Sequence, residues 1–116
     1  MAAKLTYVIK FVADMDRAVK FYRDTLGLNL KFQSPGWSEF STGDTVLALH
    51  PASAEKAAGS VELGFNVEDL HRFHQQMTAQ GVRFTMPPSR QEFGGELAQF
   101  VDSEGGRVTV AGKDAQ

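Results

Sequence analysis

The chain has 116 residues, a formal net charge of −2 and no cysteine. Its length suits one compact domain, and the missing thiols exclude a disulfide framework, a thiolate metal site and a cysteine nucleophile. The basic residues are scattered, which argues against nucleic acid as a partner, and no stretch is long and apolar enough to span a bilayer. Met1-Ala2-Ala3-Lys4 leads straight into a strand, so no signal peptide is expected and a cytoplasmic location is the expectation.

In chain order, Leu5 to Val12 is largely apolar on both faces and predicts a strand covered on both sides. Asp14 then caps a helix, and Met15, Ala18, Val19, Tyr22 and Leu26 recur at helical spacing as its core stripe. Gly27 supplies the left-handed stop. Asn29 to Gln33 is a short strand, Ser34-Pro35-Gly36 a turn, and Trp37 to Ser41 with Thr45 to His50 a hairpin around Thr42-Gly43-Asp44. Pro51 to Ser60 reads as a linker.

The sequence then starts again. Val61 to Val67 is a strand, and a helix from about Asp69 to Gln80 buries Leu70, Phe73 and Met77 before Gly81 stops it. Val82 to Met86 is a strand ended by Pro87-Pro88, and Ser89 to Gly95 a polar loop. Glu96 to Val101 and Arg107 to Val110 form the last hairpin, and residues 112–116 a loose tail. The pattern is βαβββ, twice. Phe11-Val12-Ala13-Asp14 is answered by Asn66-Val67-Glu68-Asp69, and Leu26-Gly27-Leu28 by Gln80-Gly81-Val82. A supersecondary unit used twice makes equivalent positions of the two copies comparable.

At this point the chain resembles the vicinal oxygen chelate superfamily, which includes glyoxalase I, bleomycin-resistance proteins, fosfomycin-resistance enzymes and extradiol dioxygenases. The resemblance is carried by Val12-Ala13-Asp14, by Phe21-Tyr22-Arg23-Asp24-Thr25-Leu26-Gly27-Leu28, by Gly64-Phe65-Asn66-Val67-Glu68-Asp69 and by Phe100-Val101-Asp102-Ser103-Glu104-Gly105-Gly106. The last run departs at two positions from the family's Asp-Pro-x-Gly-Asn turn. The resemblance implies an α+β fold in which two βαβββ modules form an open, curled mixed sheet around a cavity. The single domain would span residues 1–116, with module one at about 4–50, a linker at 51–60 and module two at about 61–111. It also implies a homodimer and a small-molecule ligand in a β-lined cup.

Enzymes of that superfamily hold a divalent metal on four strands. By motif position the corresponding residues here are Tyr7, Ala48, Glu62 and Thr109, with His50 two residues beyond Ala48 on the same face. Of the four, Glu62 alone is a usual ligand type. Tyr7 and Thr109 are poor ligands and Ala48 has no donor. No cofactor is therefore expected; if a metal were held, Glu62 and His50 would be its ligands.

Each candidate has a competing reading. Glu62 lies between Val61 and Leu63, either as a partly desolvated carboxylate fit to act as base or anion, or as a strand carboxylate facing water. Tyr7 reaches a ligand or is a core tyrosine. His50 is a near-neutral acid or base, or a strand-end residue before Pro51. Trp37 walls a planar ligand or packs its hairpin; Phe93 lies in a loop where the resemblance implies a cover over the cavity, or decorates that loop. His71 and His74 lie three apart on the second helix with no third ligand in view; a solvated face is expected, with His74 beside the core stripe. Gly94-Gly95 lacks the lysine and context of a phosphate loop.

The reading preferred on the sequence is a metal-independent small-molecule binding protein of the bleomycin-resistance type. It would hold an aromatic or cationic compound with Tyr7, Trp37, Ala48, Glu62, Phe93 and Thr109. The alternative is a glyoxalase-like lyase or isomerase, or a dioxygenase, with catalytic Glu62 and His50, Glu62 acting as base or metal ligand.

Overall fold

The computed structural model describes residues 3–92 and 94–112. Phe93 and the end of the C-terminal tail lie outside the described residues. The chain divides into two compact units, Thr6–Val61 and residues 62–112 together with 3–5. Each is built on one βαβββ module, in keeping with the α+β reading.

In the first module, β1 (Lys4–Val12) leads into α1 (Met15–Lys20) and a π-helical turn (Phe21–Thr25), followed by β2 (Asn29–Phe32), β3 (Ser38–Ser41) and β4 (Val46–Pro51). The strands are ordered β2-β3-β4-β1, with β1 parallel to β4 and the other pairs antiparallel. In the second module, β5 (Val61–Val67) leads into α2 (Leu70–Ala79), then β6 (Phe84–Arg90), β7 (Glu96–Val101) and β8 (Arg107–Gly112). Its order is β6-β7-β8-β5, again with one parallel pair, β5 with β8.

The repeat extends to single hydrogen bonds. Asp14 is extended (φ −138°, ψ 106°) and its carboxylate accepts from the Arg17 amide at 3.1 Å. Asp69 is extended (φ −134°, ψ 99°) and accepts from the Arg72 amide at 3.1 Å. Both are N-caps, each satisfying an amide that the first helical turn leaves without an acceptor. Gly27 (φ +75°) and Gly81 (φ +91°) close the helices in the left-handed region that a side chain disfavours.

Each helix covers one face of its sheet. Val19 packs with Phe40 and Leu49, surrounded by Met15, Ala18, Tyr22, Leu28 and Leu47. Leu70 and Phe73 pack with Val67, Ala98 and Val110, beside Met77, Phe84 and Phe100. Strand alternation therefore sends the intervening residues of β1, β3 and β4, and of β5, β7 and β8, to the face away from the helix.

Two expectations need correcting. Leu26 does not belong to the core stripe, being 55% exposed. The Leu26 amide donates to the Phe21 carbonyl at 3.0 Å, five residues back. That wider π turn rotates Leu26 off the face that Met15, Ala18, Val19 and Tyr22 share. Nor do Pro87 and Pro88 end a strand, because β6 continues to Arg90. As the end strand of its sheet, β6 tolerates prolines wherever no ladder N–H is required, and its register slips between Met86 and Ser89.

The linker is not a loose tether. The Gly59 amide donates to the Phe11 carbonyl at 2.8 Å, the Phe11 amide to the Ser60 carbonyl at 3.0 Å, and Lys10 Nζ to the Gly59 carbonyl at 2.9 Å. Among the described residues no helix is long and apolar enough to cross a membrane.

Candidate ligand site

On the helix-free face of the first module, β1 contributes Tyr7, Ile9 and Phe11, β4 contributes Ala48 and His50, and Trp37 enters just ahead of β3. Ile9, Phe11 and Ala48 are buried together, with Tyr7 and Trp37 packed on them. The Tyr7 and Trp37 rings lie 6.1 Å apart at 58°, Trp37 and His50 6.2 Å apart at 82°, and Phe11 and His50 5.4 Å apart at 66°. Tilted and edge-on contacts at these spacings suit the ring quadrupoles. Lys56 Nζ lies 5.0 Å from the centre of the Phe11 ring, within cation–π range.

Trp37 is held at both its ends. Its amide donates to Ser34 Oγ at 3.1 Å, while Ser34 Oγ donates to the Trp37 carbonyl at 2.8 Å. Its indole Nε1 donates to Glu39 Oε2 at 2.7 Å, short enough for a charge-assisted bond. Glu39 pairs in register with Ala48, and its Oε1 lies 4.0 Å from Lys31 Nζ. The Tyr7 phenol is held above its ordinary pKa, first by burial and then by the Glu39 charge. His50 is exposed, and its Nδ1 donates to the Pro51 carbonyl at 2.9 Å, which leaves Nε2 as the acceptor in the neutral ring.

The second module places different groups at the equivalent positions. Glu62 is 6% exposed, although its neighbours Val61 and Leu63 are exposed. Thr109 Oγ1 donates to Glu62 Oε2 at 2.6 Å, and Gln99 Nε2 reaches Thr109 Oγ1 at 3.5 Å. Thr109 stands beside Gly64 on β5 and Gln99 on β7. On the second helix, His71 pairs with Glu96 at 3.0 Å on the surface, and His74 meets the Phe84 ring edge-on at 4.5 Å.

The candidates thus fall into two sets. Tyr7, Trp37, Ala48 and His50 share one face of the first module; Glu62 and Thr109 are hydrogen-bonded in the second. Phe93 lies outside the described residues. Sequence reasoning missed Glu39, Gln99 and Phe11. Trp37-x-Glu39 carried a signal for the first, since residues two apart on a strand share a face.

The residues present fit a catalytic divalent metal poorly. Among the described residues no group of three or more His, Cys, Asp or Glu side chains is placed to hold one. Ala48 has no donor, and the Thr109 hydroxyl is engaged by Glu62.

Two βαβββ modules with a shared strand order, each presenting a polar and aromatic or carboxylate-bearing face away from its helix, define the glyoxalase-type class of folds. The chain belongs to the Glyoxalase/Bleomycin resistance protein/Dioxygenase superfamily, whose family model matches residues 4–110. It is 30% identical over 101 residues to a bleomycin resistance protein of Klebsiella pneumoniae, an alignment covering 79% of each chain. Among solved structures it resembles a hypothetical protein from Bacillus halodurans C-125, with TM-score 0.80 and 17% identity over 97% of this chain and 96% of that one. It also resembles a variant of the Streptomyces coelicolor methylmalonyl-CoA epimerase in complex with 2-nitronate-propionyl-CoA. There the TM-score is 0.77, with 18% identity over 94% of this chain and 96% of that one. At such identities the structural likeness speaks to fold alone.

Proposed function

We propose that this protein is a metal-independent small-molecule binding protein of the bleomycin-resistance type, taking an aromatic or cationic compound. The observation that carries this reading is the aromatic face of the first module. Tyr7, Phe11, Trp37 and His50 form a continuous run of ring contacts, and Glu39 anchors the indole. A pre-positioned indole offers a planar ligand a large apolar contact with little conformational entropy to lose. The bleomycin resistance protein among the relatives supports placing the chain in that family.

The test is calorimetric titration of the full chain with metal-free bleomycin and with N-methylquinolinium, in excess chelator. Saturable binding that Trp37→Ala weakens at least roughly tenfold, the effect of losing about 1.4 kcal/mol, is the expected result. Binding that requires an added divalent metal contradicts it.

A second reading rests on Glu62. A buried carboxylate hydrogen-bonded to a threonine is a candidate general base, which is what a lyase or isomerase requires. Turnover of a glutathione hemithioacetal or a catechol that is abolished by Glu62→Gln would favour it over simple binding.

A further inference from the structure

We propose that Glu39 is the specificity determinant of the aromatic face, selecting a planar cation over an uncharged molecule of the same shape, with Lys31 as the counter-ion that the ligand displaces. This rests on the reading of that face as the ligand site. The two carboxylate oxygens are used differently. Oε2 takes the Trp37 indole N–H at 2.7 Å and fixes the ring; Oε1 meets Lys31 Nζ at 4.0 Å, the outer limit of an ion pair.

The exposures of the two partners are unequal. The Glu39 side chain is 17% exposed and that of Lys31 is 59% exposed. Lys31 therefore keeps most of its hydration and gives little to the pair, whereas Glu39 has lost much of its water. A covered carboxylate with one weakly held oxygen beside an indole and a phenol is matched by a flat cation. Its ring would lie against Trp37 and Tyr7 while its charge replaced that of Lys31. The influence of the Glu39 charge on the Tyr7 phenol agrees with a field directed across this face.

The second module sharpens the assignment. Its equivalent of Glu39 is Gln99, because Glu39 pairs with Ala48 as Gln99 pairs with Thr109. Hairpin geometry thus requires no acid at this position. Trp37 also needs only an acceptor, which a glutamine carbonyl would supply. What glutamate adds over glutamine is charge.

The experiment compares N-methylquinolinium with its uncharged isostere methylnaphthalene, measuring both dissociation constants by calorimetry in low salt. Wild type should prefer the cation by roughly tenfold, the scale of one partly covered ion pair. Glu39→Gln, which keeps an acceptor for the indole, should abolish that preference and leave methylnaphthalene affinity unchanged. Lys31→Met, an exposed substitution that leaves the core untouched, should tighten the cation roughly twofold to fivefold and not the isostere. A Glu39→Gln variant that keeps the preference, or loses both ligands equally, overturns the Glu39 assignment alone. Failure of both probes to bind wild type overturns the ligand-site reading along with it.

Discussion

On the sheet face away from the helix, the first module carries Tyr7, Glu39 and Ala48 where the second carries Glu62, Gln99 and Thr109. The backbone around the two sets is matched. Ala48 lies beside Ile9 and Glu39, Thr109 beside Gly64 and Gln99, and both helices begin on an aspartate cap with an amide bond of 3.1 Å. The first set adjoins Trp37, Phe11 and His50 and is aromatic; the second is a hydrogen-bonded carboxylate chain. Duplication supplies positions, and the side chains at those positions then diverge without disturbing the ladder, because strand alternation keeps this face separate from the helix-packed core.

The largest contrast between the modules should appear in their cores. Phe40 is wholly buried against Val19 and Leu49, whereas its equivalent Phe100 is partly exposed. Phe40→Ala should cost about 3–5 kcal/mol in denaturant unfolding, and Phe100→Ala measurably less. Equal losses would show that the two phenylalanines are packed alike. Next, Thr109→Val removes a donor to the buried Glu62 carboxylate and should cost about 1–3 kcal/mol. The reverse exchange, Ala48→Thr, overpacks a fully buried position in the first module and should cost about 1–3 kcal/mol for a different reason.

The caps should behave alike. Asp14→Ala and Asp69→Ala should each cost about 1 kcal/mol, read as paired shifts in unfolding midpoint. A large disparity would show that one helix is held by packing rather than by its cap.

The smallest effect concerns protons. The folded state raises the Tyr7 pKa, so it holds that proton more tightly than the unfolded chain does. The stabilisation is complete below the ordinary phenol value of about 10 and declines as pH rises through the raised value. Ultraviolet titration of the phenolate, with Tyr22→Phe to leave one tyrosine, should show the late transition. Glu39→Gln should bring it only part of the way back, since burial is the larger cause.

Much of the frame was legible in the sequence because its signals are local. Asp14 and Asp69 precede helical spacing, Gly27 and Gly81 follow it, and each acts through its own backbone. Leu26 was misread because a π turn keeps the composition of an α-helix while changing its phase. Pro87-Pro88 was misread because the tolerance of an end strand for proline depends on a neighbour that the local sequence does not show. Of the candidate site, Tyr7 and Ala48 were placed by motif position and alternation, and Trp37 was singled out as a lone tryptophan after a turn. The role of Glu39 depends on an indole turning back on its own strand, and Phe11 emerges from the run of ring contacts rather than from any motif.

Trp37 is the only tryptophan of the chain, so the aromatic face of the first module has a built-in reporter. The direct measurement is the fluorescence of chelator-treated protein titrated with N-methylquinolinium. A saturable change in Trp37 emission, with the same midpoint before and after chelation, is the predicted result. No change, or a change that returns only with a divalent metal, would contradict a metal-independent ligand site on the aromatic face of the first module.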